Sequence, residues 1–126
     1  MLSWKTTPIK KSINIKSVIN DLMSNYTELK RECYEANMTL HELGLVIYTF
    51  GNVSAVDRSK GTFAIKPSGV PYDTLRPDDI VIVDFDNEIA EGEMRPSSDT
   101  KTHAWLYKNW NKIGGIAHTH ATYGTF

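Results

Sequence analysis

Between Leu45 and His120 the chain is cut into short β-rich runs by clusters of turn-forming residues, and nothing else in the sequence constrains the fold as strongly. Residues 45–50 read as a strand that residues 53–56 continue past a break at Gly51-Asn52. Ser59-Lys60-Gly61 is a turn signal, and residues 62–66 read as the returning partner, with Phe63 and Ile65 on one face. Pro67-Ser68-Gly69 forms a loop. Residues 80–85 read as a strand, Asp86-Asn87 as a turn, residues 88–91 as a short return and residues 116–120 as a last strand. Helical periodicity flanks and interrupts these runs. Ile15, Ile19, Leu22, Tyr26, Leu29, Cys33, Ala36 and Leu40 step by three and four, which predicts one helix, or two joined near Asn25, ending before Gly44. Pro96-Ser97-Ser98-Asp99 reads as a second helix start, with Leu106, Tyr107 and Trp110 on one stripe and Gly114-Gly115 as the stop. Hairpins between helices predict a largely antiparallel sheet with helices packed on it.

Size and charge narrow what such a domain does. The 126 residues suffice for one domain and not two. Hydrophobic residues make up 40% and charged residues 23%, a globular balance that excludes disorder. A formal net charge of −1 provides no bulk field for nucleic acid or an anionic membrane. Apolar runs such as Ile80-Val81-Ile82-Val83 are too short to span a bilayer. The one cysteine, Cys33, excludes a disulfide framework and points to a reducing cytoplasm. Residues 1–27 read as a basic extension: Lys5, Lys10, Lys11 and Lys16 precede the first acid, Asp21. No apolar core follows these lysines, against a secretory signal, and arginine is absent there, against a transit leader.

The residues able to carry chemistry fall in a few places. In His118-Thr119-His120, residues two apart on a strand share a face, so two imidazoles can approach one metal ion. The same pair is also compatible with two surface histidines at a strand end. His41 and His103 lie elsewhere in sequence, and neither is an obvious third ligand. Ser97-Ser98-Asp99 can cap the free N–H groups of a helix, or the same groups can hold a phosphate. Asp99 can complement the helix dipole, ligate a metal or act as a base, and these roles stay open at this point. Lys66-Pro67-Ser68-Gly69 offers a cation, a hydroxyl and a permissive backbone, and Gly51-Asn52 a second permissive turn with an amide.

Four stretches together resemble a known family: Phe50-Gly51-Asn52-Val53-Ser54-Ala55-Val56-Asp57, Ile65-Lys66-Pro67-Ser68-Gly69-Val70, Pro96-Ser97-Ser98-Asp99-Thr100 and Gly114-Gly115-Ile116-Ala117-His118-Thr119-His120. In this order they are similar to L-ribulose-5-phosphate 4-epimerases of the class II aldolase superfamily, over about residues 29–120. The resemblance implies an α/β fold with a central, largely antiparallel sheet between two helix layers, and a cyclic homotetramer with sites between subunits. It implies that His118 and His120 ligate Zn2+, with Asp99 beside the metal as ligand or acid/base group. Gly51, Asn52, Ser68, Gly69, Ser97 and Ser98 would hold a phosphorylated pentulose, with Lys66 in the same pocket. The implied reaction converts L-ribulose 5-phosphate to D-xylulose 5-phosphate. The C3–C4 bond breaks in a retro-aldol step and re-forms with inverted configuration, zinc serving as Lewis acid. Related fuculose-phosphate aldolases usually carry glutamate where this chain has Asp99, which favours epimerase over aldolase.

The chain departs from that pattern in length. The family's third zinc histidine, an aspartate acid/base and a tyrosine lie beyond Phe126. Residues 28–126 are therefore expected to form an incomplete, truncated amino-terminal half with impaired activity. The alternatives are a non-catalytic remnant that binds sugar phosphates and a class II sugar-phosphate aldolase.

Overall fold

The computed structural model describes residues 25–120 and the single residue Ile15. The stripe positions Ile19 and Leu22 and the lysines of the basic extension lie outside the described residues. Helix α1 spans Thr27–Glu42, strand β1 Asn52–Asp57 and strand β2 Thr62–Ile65. A 3-10 turn at Pro77–Asp79 leads into β3, Val81–Asp84, and β4, Ile89–Glu91. Helix α2, Thr100–Asn109, and β5, Gly115–His118, complete the fold.

The strands form one five-stranded sheet in the order β4-β3-β2-β1-β5. Every neighbouring pair is antiparallel, as the hairpin pattern requires. Alternation along β2 and β3 builds the layers. Ala64 lies opposite Ile82, and both pack with Leu29 and Cys33 of α1 and with Leu75 and Ile80. Phe63 lies opposite Val83 and Ile65 opposite Val81, and these four pack with Ala104 and Tyr107 of α2. The sheet therefore lies between two helix layers. Full burial of each such large aliphatic or aromatic side chain contributes about 1.5–3 kcal/mol, so the central strands dominate the apolar stability.

Three local expectations change. Residues 45–50 form no strand: Phe50 N–H donates to the Ile47 carbonyl at 2.9 Å, closing a turn in which Tyr48 has φ 56°. Geometry overrides β-rich composition here, because the chain must reverse before entering β1 through Gly51. The last strand ends at His118 and does not reach His120. The buried face of α2 is Thr100, His103, Ala104 and Tyr107, while Trp110 is 59% exposed. Of the expected stripe Leu106, Tyr107 and Trp110, Tyr107 lies on that face, and Thr100 and His103, two of its other members, are polar.

A polar side chain also interrupts the stripe of α1, whose buried residues are Leu29, Cys33, Asn37 and Leu40. The β1–β2 register stops at Ser54, and Asn37 takes over at the next residue. Its Oδ1 accepts from Val53 N–H at 2.8 Å, and its Nδ2 donates to the Val53 carbonyl at 2.9 Å. One amide thus completes the ladder where β2 departs. At the far end of the sheet, Arg58 donates to the Tyr107, Trp110 and Ile113 carbonyls at 2.7, 2.8 and 2.9 Å. A cation at these terminal carbonyls complements the dipole of α2 and fixes the helix against the β1–β2 turn.

Asn37→Ala should leave the Val53 N–H without its acceptor and the Val53 carbonyl with only the weak Cys33 thiol donor at 3.3 Å among the described residues. The expected loss is about 2–4 kcal/mol of unfolding free energy in urea titration, against under about 1 kcal/mol for Thr39→Ala on the exposed face.

Candidate functional site

The site forms where β2 stops. Proline cannot extend a hydrogen-bonded ladder, so the chain leaves the sheet at Lys66-Pro67 and meets the segment entering α2. Ser97 N–H donates to the Lys66 carbonyl at 3.0 Å, and Ser68 N–H to the Arg95 carbonyl at 2.8 Å. Pro67 and Pro96 face each other as an isolated bridge. The loops around Ser68 and Ser97 thus lie side by side. On the other flank, Asn52 at the start of β1 stands opposite His118 at the end of β5.

Gly51 makes that entry possible. Its φ is +90°, and a Cβ there would sit 2.7 Å from Val46 Cγ1 and 3.1 Å from the His118 carbonyl. Its own carbonyl accepts from Tyr72 O–H at 2.7 Å.

Asn52, only 3% exposed, joins the parts. Its Nδ2 donates to Asp99 Oδ2 at 2.8 Å and to Ser97 Oγ at 3.1 Å. Its Oδ1 is buried without a hydrogen-bond partner among the described residues. Asp99 Oδ2 also lies 2.5 Å from His118 Nδ1. Asp99 occupies the helix N-cap but makes no capping hydrogen bond with its side chain. Ser97 does that work: its Oγ accepts from Asp99 N–H at 3.2 Å and its carbonyl from Thr100 N–H at 3.1 Å. The Asp99 carboxylate is thereby released to face Asn52 and His118. Burial alone would raise its pKa, but the hydrogen bonds from His118 and Asn52 prevail and hold it below the ordinary carboxylate range.

Lys66 is 2% exposed and lines the same space. Its Nζ lies 3.4 Å from the carbonyls of Thr49 and Pro67 and 4.8 Å above the Tyr72 ring. No carboxylate among the described residues forms an ion pair with it. Burial pulls its pKa down, because a desolvated ammonium is disfavoured.

A cavity of about 200 Å³ opens where these elements meet. The structure brings all the sequence-derived candidates to its wall: Gly51, Asn52, Lys66, Ser68, Gly69, Ser97, Ser98, Asp99, His118 and His120. The rings of His118 and His120 lie side by side, with centroids 4.6 Å apart, although His120 is past the strand end. Paired imidazoles are donors that zinc accepts. They fit part of a metal centre, since among the described residues no group of three histidine, cysteine or acidic side chains converges. The Asp99 oxygen nearest the pair is engaged with His118, in the manner of a carboxylate that orients a metal-facing histidine.

Sequence reasoning missed Tyr72, Thr49 and Phe50, and also a buried network behind the cavity. His103 Nδ1 and Tyr107 Oη each lie 2.7 Å from Ser54 Oγ. Ser54 follows Asn52 by two residues on β1, and that spacing was the available signal. Burial pushes the His103 pKa down to about 4, over a weaker opposing pull from Asp99.

The family model of the class II aldolase and adducin N-terminal domain matches residues 31–126. Among solved structures, an L-fuculose 1-phosphate aldolase is 36% identical, with a TM-score of 0.72 over 76% of this chain and 45% of that one. The L-fuculose-1-phosphate aldolase from Thermus thermophilus is 30% identical, with a TM-score of 0.58 over 73% of this chain and 46% of that one. That from Glaciozyma antarctica shares the fold, at 19% identity and a TM-score of 0.70 over 94% of this chain and 47% of that one. The chain thus spans just under half the length of these structures. No helix among the described residues is long and apolar enough to cross a membrane.

Two outcomes follow from this geometry. Gly51→Ala should cost about 1–3 kcal/mol in urea denaturation, since it adds both φ strain and a clash with Val46. His103 is neutral when folded down to about pH 4, whereas its ordinary value is 6.5, so the unfolded chain binds the extra proton first. Stability should therefore fall as pH drops from about 6.5 toward 4, with a shallower fall in His103→Gln. An unchanged slope in that variant would contradict the assignment.

Proposed function

The chain belongs to the class II aldolase and adducin N-terminal domain family, and on that premise we propose that it carries the phosphate-holding and metal-holding half of a site for retro-aldol chemistry on a phosphorylated ketose. The substrate on this reading is a pentulose 5-phosphate epimerised at C4. One observation carries most of the weight: a buried lysine without a carboxylate partner shares a small cavity with two serines at a helix start. Desolvating an ammonium is unfavourable unless an anion compensates, and a phosphate is the anion that the surrounding donors suit.

Lys66, with the hydroxyls and backbone of Ser68, Gly69, Ser97 and Ser98, would hold the phosphate at the mouth of α2. His118 and His120 would hold zinc, whose bound form supplies a Lewis acid for charge developing on substrate oxygens. Asp99 is ionised and fixed through Oδ2 by two partners. Its other oxygen, Oδ1, is the atom to accept a proton from a substrate hydroxyl. The buried Oδ1 of Asn52 gives the same corner an acceptor for a substrate hydroxyl. Holding both fragments in one cavity after bond cleavage favours recombination, because effective molarities of positioned groups are high. A further ligand, an acid/base partner and a tetrameric assembly with shared sites belong to the same proposal.

A second reading, cleavage without recombination, is favoured by the 36% identity to an L-fuculose 1-phosphate aldolase. Accumulation of an aldehyde phosphate separates it from epimerisation. A third is retention of sugar-phosphate binding without turnover.

Titrating the purified chain with inorganic phosphate and with L-ribulose 5-phosphate, followed by amide NMR, tests the shared core of all three. Shifts should centre on residues 66–69 and 97–99. Lys66→Met should weaken binding about ten-fold or more, the scale of one hydrogen bond to a charged group. Zinc uptake should be lost in His118→Ala and in His120→Ala. Phosphate shifts elsewhere, or zinc uptake unaffected by both alanines, would overturn the assignment.

A further inference from the structure

Strand β1 and helix α2 meet through two polar rungs. Asn52 and Ser54 are two residues apart on β1 and therefore point to the same side. Asp99 and His103 are four apart and share one face of α2, linked by the 3.1 Å hydrogen bond from His103 N–H to the Asp99 carbonyl. Two strand residues cover about 6.6 Å and four helical residues about 6 Å, so the spacings match. The first rung is Asn52 Nδ2 to Asp99 Oδ2 at 2.8 Å. The second is Ser54 Oγ to His103 Nδ1 at 2.7 Å, with Tyr107 Oη 2.7 Å beyond it.

The second rung is entirely internal. Ser54 and Tyr107 are each 0% exposed and His103 is 2% exposed. One proton order gives every hydroxyl an acceptor: Tyr107 O–H donates to Ser54 Oγ, and Ser54 O–H donates to His103 Nδ1. His103 then keeps its proton on Nε2. The C-terminal end of α2 is held by Arg58 on the Tyr107 and Trp110 carbonyls and by Lys108 on Asp86. The remaining contact, nearer Asp99, is Ala104 and Tyr107 against Phe63, Ile65, Val81 and Val83. Apolar contact of this kind is non-directional and sets no axial position for the helix. A hydrogen bond is directional and tolerates little displacement.

We propose that Ser54 and His103 are positioning residues: their buried hydrogen bond fixes the first turn of α2 against β1 and so holds Asp99 Oδ2 at its distances from Asn52 and His118. The consequence for metal binding rests on the reading of His118 as a metal-facing residue; the positioning of Asp99 does not. Ser54→Ala and His103→Phe each break the rung while keeping most of the packing volume. Tyr107→Phe removes a hydroxyl from the same network but leaves the Ser54–His103 bond in place. A purely structural network would give all three variants effects in proportion to their loss of stability.

The deciding measurement is proton–nitrogen NMR of the His118 ring in the metal-free full chain. The unaltered protein should show a downfield proton on Nδ1, held by Asp99. Ser54→Ala and His103→Phe should lose or broaden that signal, and Tyr107→Phe, matched for urea midpoint, should keep it. Zinc affinity should follow the same split, falling about ten-fold in the first two variants and staying within about two-fold in the third. Absence of the signal in the unaltered chain would overturn the proposal. So would its persistence in Ser54→Ala, or a loss that tracks stability across all three variants. Should Ser54→Ala not fold, His103→Phe decides alone. Failure of the unaltered chain to take up zinc would sink the metal-site reading and leave the ring spectrum to judge the positioning.

Discussion

The amide of Asn52 is the constraint on which the rest of the site depends. It begins β1, stands opposite His118 across the β1–β5 pairing and reaches the segment before α2 with both Nδ2 hydrogens. With the His118 contact to Asp99 and the Ser97 N–H bond to the Lys66 carbonyl, those contacts tie Ser97 and Asp99 to the sheet. The geometry holds because Ser97, and not the Asp99 side chain, accepts from the first two N–H groups at the helix start, those of Asp99 and Thr100. The division of labour between two neighbouring residues leaves the Asp99 carboxylate facing Asn52 and His118. Its cost is small, since a serine can satisfy helix N–H groups as well as an aspartate can.

Around this hub the site accumulates features that stability alone would not select. Among the described residues, Lys66 is desolvated without an ion pair and the Asn52 Oδ1 is buried without a partner. Each is a cost that a ligand could offset. Buried unmatched donors, acceptors and cations within one cavity are what a polar, anionic ligand would find ready-made. By contrast, Asn37 and Arg58 satisfy backbone groups away from the cavity. The molecule thus separates polar groups that complete the scaffold from polar groups left available.

Much of this is legible in the sequence, for physical reasons. Hairpins announce themselves through turn residues such as Ser59-Lys60-Gly61 and Asp86-Asn87, and alternation along β2 assigns Phe63 and Ile65 to one face. The candidate site residues come from four motifs, each by itself an ordinary turn or cap, and the β1–β5 register is what places them together. Residues 45–50 mislead because β-propensity reports side-chain fit to a pleated surface and says little about where the chain must reverse. The apolar stripes find Leu29, Cys33 and Leu40 on α1 and Tyr107 on α2 but pass over Asn37 and His103, which are buried on the same faces. A polar residue satisfied by backbone or by a neighbouring hydroxyl is invisible to any hydrophobic period. The same blindness hides Ser54 and Tyr72, whose hydroxyls matter only once their partners are adjacent.

The central claim is that the paired imidazoles beside Asp99 form part of a metal centre. Zinc X-ray absorption on the metal-loaded full chain at neutral pH tests it most directly. The expected spectrum contains two imidazole nitrogens at about 2.0–2.1 Å, with oxygen ligands making up the remainder. A spectrum with only oxygen ligands, or with sulfur from Cys33, would contradict the account.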